Sequence, residues 1–110
     1  MGVYEYEHIT PERFLKALDS GELQDECIID VRELFEWDYW HLEGTRHLPL
    51  RELPASLGTL PKDRKIYVIC AHGVRSETAC RYLSEAGFDS LVNVLGGTAA
   101  LAAYRGFQYD

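Results

Sequence analysis

The segment 65–87, KIYVICAHGVRSETACRYLSEAG, constrains this chain more than any other stretch. Ile66, Tyr67, Val68 and Ile69 form a short, largely β-branched apolar run, which reads as a buried strand. Residues 77–86 have a helical period: Ala79, Cys80, Leu83 and Ala86 share one face, and Glu77, Arg81 and Glu85 lie on others. Cys70 is the last residue of the strand. Only residues 71–76 are left to turn the chain from strand to helix, and Gly73 supplies a position where positive φ is free of steric cost. A turn of this kind folds back over the sulfur and aims backbone N–H groups at it.

That geometry predicts chemistry. A thiolate at the mouth of a helix is stabilised by the positive end of the helix and by the neighbouring Arg75 and His72. The same donors would hold an anion attached to the sulfur or attacking it. An isolated cysteine would read instead as a small, inert core residue. Strand, glycine turn, Arg-Ser pair and helix together favour the reactive reading. The Ser76 hydroxyl either bonds the Cys70 sulfur or caps the helix, and both options stand at this point. His72 is expected to face outward at the mouth of the site, as a control on access or simply as an exposed loop residue.

The rest of the chain alternates strands and helices. Residues 4–9 read as an edge strand. Thr10 and Pro11 open a helix with the apolar stripe Phe14, Leu15 and Leu18, closed by Asp19, Ser20 and Gly21. Residues 27–31 form a second apolar strand, in which Cys27 is a core residue. Asp30 and Arg32 stand where that strand gives way to its loop, the end at which α/β ligand sites gather. Asp30 is placed to accept hydrogen bonds from the loop backbone, from Arg75, or from adjacent amides. The aromatic stretch 33–40 predicts a short helix with Trp37 and Trp40 packed, or one of them walling the site. Residues 46–49 read as a strand, 50–60 as a loose helix interrupted at Pro54, and 60–64 as a turn. Residues 89–94 supply the last strand, Gly96-Gly97 a turn, and 98–104 a terminal helix. The pattern predicts an α/β fold: a central, mostly parallel sheet of about five strands, with helices on both faces in three α/β/α layers.

Four motifs in register resemble the rhodanese family of sulfurtransferases. Cys70-Ala71-His72-Gly73-Val74-Arg75-Ser76 resembles its active-site loop, and Asp30-Val31-Arg32-Glu33 its Asp-Val-Arg-Glu. The stretch from His41 through Gly44 to Pro49-Leu50 resembles its Gly-His-Ile-x-Gly-Ala-x-Asn-Ile-Pro-Leu. Val94-Leu95-Gly96-Gly97 resembles its closing glycine motif. The resemblance implies a rhodanese-like fold, a structural role for His41, and a match between Glu36 and a Glu the family carries in this region. Leu101 stands where the family has a Trp, a change that touches packing. The resemblance also implies that Cys70 carries sulfur as a persulfide held by the loop Ala71, His72, Gly73, Val74, Arg75 and Ser76, with Asp30 and Arg32 behind it. Arg75 would steady the loop or the anionic donor. A donor such as thiosulfate would give up its outer sulfur to cyanide in an assay or to a thiol in the cell. No cofactor or metal is implied. A non-catalytic docking or regulatory module is the main alternative. A phosphatase or arsenate reductase is disfavoured, because those enzymes carry a longer loop than the four residues between Cys70 and Arg75.

Composition narrows the partners. A net charge of −7 makes nucleic acid an unsuitable one. Three cysteines without a CxxC read as free thiols of a reducing cytoplasm rather than a disulfide framework or zinc site. No stretch is long and apolar enough for a membrane. At 110 residues the chain is expected to be a single domain with short loops and an open, shallow site, suited to a small sulfur donor and a thiol, cyanide or sulfur-relay protein as acceptor.

Overall fold

The computed structural model describes residues 5–108. Its strands β1 (Glu7–Ile9), β2 (Cys27–Asp30), β3 (Arg46–His47), β4 (Ile66–Ile69) and β5 (Leu91–Val94) form one sheet. The order is β1-β5-β4-β2-β3, with every neighbouring pair parallel. The helices are α1 (Pro11–Asp19), α2 (Leu34–Tyr39), α3 (Leu53–Ser56), α4 (Arg75–Glu85) and α5 (Gly97–Tyr104). The expected α/β architecture is therefore present, with β4 at the centre and β1 at an edge; β4 ends at Ile69, one residue short of Cys70. Of the proposed edge strand, Tyr4 lies outside the described residues.

Alternation along the central strands builds two cores, because successive side chains leave opposite faces of the sheet. On one face Ile28, Tyr67, Ile69, Val92 and Val94 meet Phe14 and Leu15 of α1 and Leu101 of α5. On the other, Ile29, Ile66, Val68 and Leu91 meet Leu53 of α3 and Ala79, Cys80 and Leu83 of α4. Strands covered on both faces need no polar side, which is why β2 and β4 read as unbroken apolar runs. Leu101 is wholly buried, so the departure from the family's Trp is absorbed by packing.

Local signals set most boundaries. Thr10 Oγ1 accepts from the Arg13 N–H at 3.3 Å, with Pro11 opening α1. Several boundaries differ from expectation: β3 is only Arg46–His47, β5 begins at Leu91, and α5 takes in Gly97. Helix α4 begins at Arg75, because Val74 already has helical backbone angles (φ −91°, ψ −54°). Ser76 therefore lies inside the helix and does not cap it. Pro54 does not interrupt residues 50–60: it sits in the first turn of α3, where no N–H is required, and the breaks fall at the flanking 3-10 turns Leu50–Glu52 and Leu57–Thr59.

The carboxyl ends of β2 and β4 lie side by side, with the Val31 N–H donating to the Ile69 carbonyl at 2.9 Å. The chain leaves β4 for β5 and β2 for β3, in opposite directions, so a crevice opens between the two strand ends. The start of α5 closes it from behind. The Thr98 N–H donates to the Cys70 carbonyl at 2.8 Å, and the Ala99 N–H donates to the Ala71 carbonyl at 3.0 Å. This approach requires glycine at 97: φ is +56°, and a Cβ there would stand 2.6 Å from the Ala71 carbonyl oxygen. Gly97→Ala is expected to destabilise the fold by about 2 kcal/mol or more, through left-handed strain plus a backbone clash. Chemical denaturation checks this, and an unchanged midpoint refutes the clamp.

Candidate active site

Cys70 follows directly on β4, and its sulfur sits at the head of α4. The Gly73 N–H donates to Sγ at 3.0 Å, and the thiol meets Ser76 Oγ at 3.3 Å. Gly73 adopts φ +94°, which folds segment 71–73 back over the sulfur. Of the two options open for Ser76, the contact with sulfur is the one realised. The Ser76 hydroxyl also donates to Asn93 Oδ1, and Ser76 and Asn93 are both fully buried. Two expectations need correction here. Among the described residues a single loop amide, that of Gly73, reaches the sulfur rather than a full ring of donors. Nor is the sulfur open: Cys70 is 1 % exposed, because a turn this short lays its own backbone across the thiol.

Asp30 and Arg32 form a buried pair, each 1 % exposed. Arg32 Nε donates to both Asp30 oxygens at 3.0 and 3.1 Å, and Nη2 donates to Oδ2 at 2.8 Å. The Arg32 backbone N–H adds a fourth bond to Oδ1 at 3.0 Å. The partner of Asp30 is thus Arg32, not Arg75, and the loop backbone is not what it holds. The remaining Arg32 donors go to the carbonyls of Glu36 (3.3 Å) and Trp40 (2.8 Å), at the negative end of α2. His47 Nε2 meets the Arg32 carbonyl at 2.7 Å. A buried charge pair persists only when its hydrogen bonds are met, and these are.

With α2 fixed in this way, Glu36 faces Arg75. The two form a bidentate pair, Nη1–Oε1 and Nη2–Oε2, both 2.7 Å. Glu36 Oε1 also accepts from the Glu33 N–H at 3.0 Å, half of a capping box at the start of α2. Both guanidinium ends of Arg75 are therefore spent on holding the loop to α2. The Arg75 hydrogen bonds, with help from the Glu33 amide and the charges of Arg75 and Arg32, bring the Glu36 carboxyl down to about 2 against the opposing effect of burial. Arg75 is raised in return, first by its bonds to Glu36 and further by the charges of Glu36, Cys70 and Asp30.

A cleft of about 470 Å³ lies beside the loop. Arg32 and Glu36 are among its lining, with Ala71 and His72 from the loop and Thr98 and Ala99 from α5. Phe35 and Tyr39 supply an aromatic wall; they are 75 % and 53 % exposed. Neither tryptophan lines the cleft. Trp37 stacks on His41 (3.7 Å between ring centroids) and on His47, and Trp40 packs against the α1/α5 core. His41 accordingly serves structure, its Nδ1 meeting the Trp37 carbonyl at 2.9 Å. His72 is exposed at the cleft, as expected, and Val74 is exposed as well. Cys27 is half-buried and its thiol is raised by burial; Cys80 is buried and pushed up to about 12, chiefly by desolvation. Neither has the surroundings of Cys70.

The Phe35 and Tyr39 wall was not anticipated; its signal was the i, i+4 spacing on the face of 33–40 opposite the packed tryptophans. Asn93 was missed too, although one amide inside the apolar run Leu91–Val94 is itself a sign of a buried partner. His8 gave no signal at all. The Glu36 pair makes a testable contribution to acid stability. A carboxylate lowered from 4.5 to about 2 stabilises the fold fully above pH 4.5 and loses that effect as pH falls toward 2. Discounted for the partial exposure of Arg75, the effect is about 1–2 kcal/mol. Acid titration of thermal stability should show this loss in the wild type and not in Glu36→Gln.

Known proteins similar to this chain include a sulfurtransferase and a rhodanese-related protein. The putative sulfur carrier protein YrkF of Bacillus subtilis is 38% identical over 89 residues, covering 81% of this chain and 47% of that protein. The chain thus spans about half the length of that relative. Thiosulfate sulfurtransferase GlpE of Shewanella oneidensis is 28% identical over 95 residues, covering 86% of this chain and 91% of GlpE. The crystal structure of a rhodanese-related protein from Thermoplasma volcanium matches with a TM-score of 0.78 at 30% identity, covering 94% of this chain and 96% of that one. These relatives are named as a sulfur carrier and a thiosulfate sulfurtransferase. The rhodanese-like domain family matches residues 10–104, and the chain belongs to that family.

Proposed function

We propose that this protein is a sulfurtransferase that carries sulfane sulfur as a persulfide on Cys70. The observation that carries the reading is the sulfur's own environment: the Gly73 N–H at 3.0 Å and Ser76 Oγ at 3.3 Å meet it at the head of α4. Both groups can donate to an anionic sulfur, and the helix adds its positive end. In the first step the Cys70 thiolate attacks the outer sulfur of a donor such as thiosulfate. A sulfur–sulfur bond forms, the donor's own sulfur–sulfur bond breaks, and sulfite leaves with the electron pair. In the second step cyanide or a thiolate attacks the terminal sulfur, and Cys70 leaves as a thiolate. This is two-step covalent catalysis with ping-pong kinetics.

Each predicted residue has a place in that scheme. Gly73 lies against the sulfur, Ala71 and His72 border the cleft beside it, and because Cys70 is 1 % exposed a donor reaches it only when the loop gives way locally. The Gly73 amide then has the outer sulfur to bind. Val74 starts the helical backbone, and Arg75 holds the loop through Glu36. Asp30 and Arg32 fix α2 from below. The aromatic wall of Phe35 and Tyr39 favours an acceptor thiol presented on a protein surface, a sulfur-relay partner, alongside small acceptors. The four-residue spacing from Cys70 to Arg75 and the absence of a loop Asp speak against phosphate transfer. If residues 71–76 served only for docking, no sulfur would be taken up.

Thiosulfate treatment followed by peptide mass mapping is expected to add one sulfur atom to Cys70 and none to Cys27 or Cys80. Cys70→Ser should abolish thiosulfate:cyanide turnover by at least about a thousandfold, as loss of a covalent nucleophile does. An unmodified Cys70, or a Cys70→Ser variant with normal turnover, refutes the reading.

A further inference from the structure

A line of hydrogen bonds runs from the surface to the sulfur across three elements. His8 lies on the exposed edge strand β1, in register with Asn93 on β5. Asn93 Nδ2 donates to His8 Nδ1 at 3.1 Å; Asn93 Oδ1 accepts from the Ser76 hydroxyl; Ser76 Oγ accepts from the Cys70 thiol at 3.3 Å. Asn93 and Ser76 are 0 % exposed, so no solvent competes for these bonds along the buried stretch. Each hydroxyl has one proton, and the two ends of an amide differ only in donor and acceptor character. The direction of every bond in the line is therefore tied to the direction of the next.

We propose that Ser76, Asn93 and His8 are positioning residues that reverse polarity together as Cys70 passes from thiol to anion. With a thiol, sulfur donates to Ser76, Ser76 to Asn93, and Asn93 to a His8 nitrogen that bears no proton. An anionic sulfur has no proton to give, so Ser76 turns its hydroxyl to the sulfur. Asn93 then rotates its amide to donate to Ser76 and presents its oxygen to His8, which must donate. A protonated His8 can only donate, so it selects the anionic state. The exchange balances: the S–H bond breaks and its proton passes to solvent, while His8 presents an N–H at Nδ1, which the neutral ring does by moving its one proton from Nε2 through solvent and the imidazolium does in any case. No proton crosses the amide. The inference rests on the reading above only in treating anionic sulfur on Cys70 as the working species.

Other groups act on the two ends. Tyr6 meets the His8 ring edge-on at 5.3 Å, and its hydroxyl donates to Glu77 at 2.8 Å, with the charge of Arg81 also felt there. The β5 neighbours Val92 and Val94 are uncharged. At the sulfur end Arg75 contributes its charge, while Asp30 is paired with Arg32. The test must therefore separate the hydrogen-bond line from a field acting through space.

Two substitutions at the exposed position fix the polarity. His8→Lys is always a donor, and His8→Glu is an acceptor when ionised. The readout is the ultraviolet absorbance of the Cys70 thiolate against pH, taken as the difference from the matching Cys70→Ala protein. His8→Lys is expected to raise the thiolate-to-thiol ratio about tenfold, and His8→Glu to lower it by about as much, the scale of one hydrogen bond to a charged group. Both effects should vanish in a Ser76→Ala background, which breaks the line and leaves the surface charges in place. Equal shifts in both backgrounds would show a through-space field and overturn the proposal, as would no shift in the single variants. The measurement needs no sulfur donor, so it stands apart from whether Cys70 accepts sulfur.

Discussion

The buried pairing of Asp30 with Arg32 is the constraint from which the site is assembled. Each group alone would be a costly charge in the interior; together, with every oxygen and nitrogen engaged, they form a rigid corner at the end of β2. Arg32 spends its remaining donors on the carbonyls of Glu36 and Trp40. Helix α2 is only six residues long and buries none of them fully, so apolar packing would hold it weakly. Its position comes from that guanidinium and from the stacked rings of Trp37, His41 and His47. Once α2 is placed, Glu36 grips Arg75, and the loop that covers the sulfur is held at its far end.

The sulfur loop is thus secured from two sides by different forces. In front, a charge-assisted bidentate pair ties Arg75 to α2. Behind, two neutral backbone bonds tie the carbonyls of Cys70 and Ala71 to α5. The middle, His72 and Gly73, is bound chiefly by the single amide contact to the thiol itself. A loop with fixed ends and a light middle suits a task in which the covered atom gains and loses a neighbour.

Much of this arrangement was legible in the sequence, and the reasons differ from part to part. Residues 66–69 and 27–31 are short apolar runs bounded by turn residues, a pattern that admits few alternatives in an alternating chain. Thr10-Pro11 and Asp19-Ser20-Gly21 marked helix ends through backbone chemistry that acts locally. The partners of Arg75 and Asp30 were less legible, since an ion pair between residues 36 and 75 depends on where a separate element comes to rest. The burial of Cys70 was misread for a similar reason: the residues of the loop state that it turns, not how closely it lies on the sulfur. His8 and Asn93 are 85 positions apart, and only the parallel register of β1 with β5 brings them together.

The glycine that lets α5 meet the sulfur loop has a dynamic consequence. The amides of Thr98 and Ala99 are paired with the residues that carry and cover the thiol, so neither can exchange its hydrogen with water unless that loop and the helix part. Their deuterium uptake is a direct gauge of how often the reactive atom is uncovered from behind. A ligand that tightens the loop would slow both amides in step.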